Sequence, residues 1–232
     1  MKARELTPMK PRERILGCLY IPFHGIVLPF GLSSAFILLG VQITAPGFLL
    51  IHYALSFLLV LTIMFSFLRE SFSAMCGTFG RVIIFVLLSL LLYNVLLLAL
   101  AIFMSETMMV RSPNTEAVHQ LVESNRGIVI AVAVVLAPII EEAIFRGALF
   151  GAIRGRSRLL AYIVSALVFG LYHLALPMLL DLDWSMLRFV VHYLPASIAL
   201  AWCYERTGTI WAPIILHAVI NLWNLTSGQL FV

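Results

Sequence analysis

Hydrophobic residues run along this chain in long, nearly unbroken stretches, separated by short polar interruptions. Seven such stretches stand out, at about 15–41, 46–68, 82–104, 127–153, 159–177, 186–204 and 210–226. Each approaches the ~20 apolar residues that carry an α-helix across a bilayer. A membrane barrel would instead show alternating segments of roughly 10 residues. The pattern therefore predicts an all-α fold, a polytopic transmembrane helical bundle of about seven spans. The first span follows Lys2, Arg4, Lys10, Arg12 and Arg14, as a signal peptide would. Its apolar run is too long for a signal peptide and ends in no clear cleavage site, so it is read as a retained span. Pro22 and Pro29 are expected to kink it.

Composition sharpens the class. Of 232 residues, 62% are hydrophobic and 11% charged, with mean hydropathy +1.05. A soluble domain is nearer 45–50% apolar and about 25% charged, and a disordered chain is poorer still in apolar residues. The net charge of +4 does not point to nucleic acid, because the basic residues gather at the ends of apolar runs. With the N-terminus placed in the cytoplasm, eleven Lys and Arg fall on the inside and three outside, and Arg146 lies within a span. That bias predicts a cytoplasmic N-terminus and, with seven spans, an outside C-terminus. Cys18, Cys76 and Cys203 are far apart and make neither a disulfide framework nor a cysteine metal site.

The chain reads as one membrane domain, 1–232, in two parts. Residues 1–126 hold spans one to three and a polar stretch, 105–126, expected to be a loop or an interfacial helix. Residues 127–226 hold four spans with polar groups inside them. Span four carries Glu141, Glu142 and Arg146 in an apolar helix. Charged groups there cost ~2.5–3.5 kcal/mol each on insertion scales and usually face the bundle interior at a functional site. Glu142 and Arg146 are four residues apart, on one helix face, and are expected to pair. Glu141 lies about 100° around the axis and points elsewhere. Span five carries His173. Spans four and five form a hairpin whose tip is near residue 157, midway between Glu141 and His173, so these two are expected to meet at one depth. Span seven carries His217 and Asn221, again on one face.

Glu, His, His and Asn on three helices suit water activation. Glu141, with His173, can take a proton from water. His217 and Asn221 can donate hydrogen bonds to a developing oxyanion. The predicted reaction is hydrolysis of an amide, with a protein or peptide substrate and membrane lipids as partners. No GxSxG or HExxH is present. Zinc held by Glu141, His173 and His217 stays open, although metal-independent glutamate chemistry, with no cofactor, is preferred. Two other classes compete: a non-enzymatic scaffold or bacteriocin immunity protein that uses the same residues for binding, and a proton-coupled carrier. Inverted repeats would mark the carrier, and none is evident. His24, His52, His119 and His192 are set aside, and Asn224 ranks as a minor supporting candidate.

The segments Glu141-Glu142-x-x-x-Arg146, Phe169-x-x-x-His173 and His217-x-x-x-Asn221 resemble the three motifs of the CPBP family, the CAAX protease and bacteriocin-processing membrane proteases, also called Abi proteins. Residues 204–217 resemble the family's approach to its last motif, and the likeness extends over about 127–225. The resemblance implies a helical intramembrane glutamic endopeptidase. In it Glu141 and His173 would activate water, His217 and Asn221 would form the oxyanion hole, and Glu142 and Arg146 would support the site. It implies CAAX-type, bacteriocin-type or surface-protein substrates without choosing among them.

Overall fold

The structure is a computed structural model that describes residues 5–104 and 110–227. Lys2 and Arg4 of the basic N-terminal segment, and part of the 105–126 stretch, lie outside the described residues. Seven helical rods follow one another with no strand among the described residues. They are α1 (Pro11–Leu38), α2 (Ala45–Cys76), α3 (Phe79–Phe103), α4 (Pro113–Arg154), α5 (Arg158–Asp181), α6 (Trp184–Thr207) and α7 (Trp211–Ser227). The first six are long and apolar enough to cross a membrane. α7 covers 17 residues. The molecule is an integral, multi-pass helical membrane bundle.

Its surface fits that setting. Leu38 (86%), Phe103 (87%) and Leu98 (63%) are exposed, together with many other Leu, Ile and Phe side chains. Exposed apolar surface of this extent is rare on monomeric soluble proteins. The most apolar windows of α4 and α6 are 56% and 61% buried, against 22–33% for the other four long rods, α1, α2, α3 and α5. α4 and α6 therefore form the centre of the bundle.

The sequence sets the rod boundaries locally. Thr44 caps α2, its hydroxyl accepting from the Gly47 N–H at 3.3 Å, with Pro46 in the first turn. Ser112 caps α4 in the same way through the Thr115 N–H at 3.2 Å, with Pro113 at the first helical position. The polar stretch is accordingly helical from Pro113 and runs into span four, with non-helical backbone only at Asn125 (φ −158°, ψ 88°). α6 ends at Gly208, whose φ of +77° suits a residue without a Cβ. Its N–H bonds back to the Tyr204 carbonyl at 2.8 Å.

Between Pro22 and Pro29 α1 takes a π-helical stretch over Phe23–Val27, closed by the Leu28 N–H on the Phe23 carbonyl. Proline lacks the N–H that an α-helix needs at those positions, and the wider turn absorbs the loss.

The end of the bundle where α1 begins is stitched by polar contacts. Glu205, fully buried, takes Arg154 at 2.6 Å, Arg158 at 2.7 Å and Tyr162 at 3.0 Å. This clamp fixes the α4–α5 hairpin tip to the end of α6. Thr7 donates its N–H and its hydroxyl to the Gly208 carbonyl at 2.9 and 2.8 Å. α4 packs closely on α2 and on the segment that leads into α1: a Cβ at Gly147 would come within 2.8 Å of Phe67 and 2.9 Å of Met9.

Candidate active site

Span four changes helical type as it passes its charged residues. Val132–Leu136 is π-helical, Ala137–Glu142 is α-helical and Ala143–Phe150 is π-helical again. Such bulges are frequent at functional sites. The first has a local cause. The Ala137 N–H reaches back to the Val132 carbonyl, and the next residue, Pro138, has no N–H. The Ala133 carbonyl is left for a side chain, and the Asn221 amide nitrogen on α7 donates to it at 2.7 Å.

Glu142 and Arg146 form the expected pair, at 2.9 Å and with both side chains fully buried. Arg146 also donates to the carbonyl and the hydroxyl of Ser197 on α6, at 3.3 and 3.1 Å. Its guanidinium lies 4.4 Å from the centre of the Phe169 ring on α5. One side chain thus ties α4 to both α5 and α6. Glu142 Oε1 takes a second partner, His217 Nδ1 on α7, at 2.8 Å. A carboxylate held by an arginine fixes the imidazole in turn, with Nδ1–H donating and Nε2 turned away.

His173 is oriented in the same sense by backbone. Its Nδ1 stands 2.8 Å from the Phe169 carbonyl. A carbonyl only accepts, so the proton is on Nδ1 and Nε2 carries a lone pair in the neutral ring. The ring stacks on Tyr193 of α6 at 4.7 Å and 21°. Glu141 then meets both imidazoles, as the hairpin symmetry predicted for one of them. Its Oε2 lies 3.6 Å from His173 Nε2 and 3.9 Å from His217 Nε2. That oxygen is buried and has no hydrogen bond. A carboxylate oxygen and two imidazole nitrogens, all acceptors in their neutral-ring states, face one another. A small molecule able to donate two protons, such as water, satisfies this arrangement. Among the described residues, no group of three His, Cys, Asp or Glu has the arrangement of a metal-holding set.

The six predicted residues therefore fall into two linked sets. Glu141, His173, His217 and Asn221 line one cavity of about 110 Å³. Glu142 and Arg146 sit behind it and hold His217. A larger, mostly apolar cavity of about 760 Å³ lies between α1, α2, α5 and the start of α4. His173 and Asn114 line both cavities. Sequence reasoning missed several participants. Tyr53 of α2 brings its phenol to the Glu141 carboxylate, and no spacing in the chain announces that. Ser197 and Tyr193 belong to α6, which carries no polar pattern to mark them. Asn224, the minor supporting candidate, also lines the smaller cavity, on the stripe of His217 and Asn221.

Residues 123–223 match the family described as Type II CAAX prenyl endopeptidase Rce1-like. That model is of the CPBP group, to which this segment is similar. All six predicted site residues fall inside the matched residues. A Bacillus subtilis (strain 168) protein named "Putative membrane peptidase YdiL" is 32% identical over 111 residues, which is 47% of this chain. The aligned residues span 41% of that relative's length. No solved structure matches the chain.

Proposed function

We propose that this protein is an intramembrane endopeptidase that hydrolyses peptide bonds of a membrane-associated protein or peptide through glutamate-activated water. The observation that carries the reading is the meeting of Glu141 Oε2 with two imidazole Nε2 atoms inside a bilayer-spanning bundle. A water bound between Glu141 and His173 donates one proton to each and keeps its lone pairs for a carbonyl carbon. Glu141 takes a proton as the water attacks and returns it to the amide nitrogen, which leaves as an amine when the C–N bond breaks. The oxyanion is met by Asn221, whose amide nitrogen has a second hydrogen beyond the one given to Ala133. His217, held by Glu142, stands beside it and donates from Nε2 when protonated. The low-dielectric surroundings strengthen both effects. No cofactor is required.

The matched family and the relative's name, both of peptidases, support the reaction class. The apolar cavity beside the site suits the apolar part of a membrane-associated substrate. The distribution of Lys and Arg supports a cytoplasmic N-terminus and a C-terminus outside.

The test is cleavage of a quenched-fluorescent peptide library by detergent-purified protein, wild type beside Glu141→Gln, with and without a chelator. Cleavage by the wild type alone, indifferent to chelator, is the expected result. Loss with chelator would move the two histidines and Glu141 into a metal site. Cleavage that survives in Glu141→Gln would remove Glu141 as the base.

A further inference from the structure

α7 presents three polar side chains along one stripe. Asn221 follows His217 by four residues and Asn224 follows Asn221 by three, so all three project from one face. His217 and Asn221 have partners on α4. Asn224 has none of that kind. It is only 6% exposed, and neither its amide oxygen nor its amide nitrogen makes a hydrogen bond. The Tyr93 phenol on α3 faces it, yet that hydroxyl also lacks a hydrogen bond of ordinary geometry. A buried primary amide that faces one phenol and makes no hydrogen bond of ordinary geometry is unfavourable in an apolar bundle and calls for an explanation. Asn224 lines the cavity that holds Glu141 and His173.

We propose that Asn224 binds substrate, its side-chain amide pairing with the peptide backbone within two residues of the bond that is cleaved. The inference rests on the peptidase reading. A primary amide offers one donor and one acceptor in a plane, the complement of the N–H and C=O of an extended residue. The same cavity presents the amides of Asn114 and Asn221 and no lysine or arginine, so it is built to read amide groups and has no cation for an acidic side chain. The spacing sets the reach. Three helical residues advance about 4.5 Å, and an extended peptide advances about 3.3 Å per residue. If the scissile carbonyl sits at Asn221, Asn224 faces backbone between one and two residues away. Recognition of this kind tolerates many substrate sequences.

The probe is a quenched-fluorescent peptide that the wild type cleaves. It is compared with analogues in which one backbone amide, within two residues on either side of the scissile bond, is replaced by an ester. An ester removes the N–H and weakens the carbonyl as an acceptor. In the wild type, one of these analogues is expected to raise KM on the order of tenfold with kcat little changed, the mark of a lost binding contact. Asn224→Leu and Asn224→Ala are expected to raise KM for the parent peptide by a similar factor and no longer to distinguish that ester. A wild type indifferent to every ester overturns the proposal without any variant. So does an Asn224 variant that keeps the full ester penalty, since a residue that only joins α7 to α3 would leave it in place. Failure of the peptidase reading looks different: the wild type then cleaves no peptide, and the role of Asn224 falls with it.

Discussion

Breaking the Glu142–Arg146 pair from each side in turn gives a sharp test of what holds the site. Arg146→Leu leaves Glu142 buried without its cation. Glu142→Gln leaves Arg146 buried without its anion. Both side chains have no exposure, so each single change is expected to destabilise by about 3–5 kcal/mol, the range for an orphaned buried charge. The loss at Arg146 also includes its bonds to Ser197 and its contact with Phe169. The double variant Arg146→Leu/Glu142→Gln buries no charge and is expected to recover at least ~2 kcal/mol relative to the sum of the singles, about 30-fold in the unfolding equilibrium. Reversible unfolding in mixed micelles, followed by tryptophan fluorescence, measures all four proteins. Proteolysis should not recover with stability, because His217 has lost the carboxylate that orients it. Additivity within ~0.5 kcal/mol would refute the reasoning, since the two charges would then not be each other's principal partners.

Glu141→Gln and His173→Ala should each abolish turnover, a general base contributing about 10²–10⁴-fold, whereas Glu142→Gln should leave residual activity; equal and total loss in all three would end the division of roles. Asn221→Ala should lower kcat by about 10²–10³, the range for one oxyanion donor, and an unchanged kcat would remove it from that role. Pro138→Ala should restore a backbone N–H where the Ala133 carbonyl now takes Asn221, and kcat should fall as Asn221 loses its anchor; wild-type kcat would show that the anchor is dispensable. Gly147→Val should destabilise by at least ~1–3 kcal/mol through overpacking against Phe67 and Met9, read as a lower midpoint in the same unfolding assay.

Contacts governed by short-range rules were legible in the chain. The Glu142–Arg146 pair follows from helical spacing alone, and the approach of Glu141 to His173 follows from the symmetry of a hairpin about residue 157. The seven apolar runs located the seven rods, six of which have the length and hydropathy that a bilayer demands. The start of α4 at Pro113 carries its own signal, a serine cap followed by proline, and helix was one of the two forms expected of 105–126. The bond between His217 and Glu142 joins residues 75 apart in sequence, and no periodicity encodes which of two adjacent glutamates α7 will face. The π-helical stretches of α4 were likewise hidden, because they depend on where Pro138 leaves a carbonyl free and on which helix supplies the replacement donor. Tyr53 comes from a part of the chain outside the matched segment and reaches Glu141 only through tertiary packing.

Arg146 and its counter-ion lie one turn apart on a single helix, and this bears on how the chain enters the bilayer during synthesis. A lone arginine in a nascent span would need a partner from another helix before it could leave the translocon at low cost. Here the neutralising carboxylate arrives with it, about 70 residues before His217 emerges from the ribosome. Span four can therefore partition as an already compensated segment, and Ser197 and His217 are added to it as the later helices are delivered. The order of synthesis builds the supporting pair first and closes the cavity later, so the site is complete only when α7 is in place.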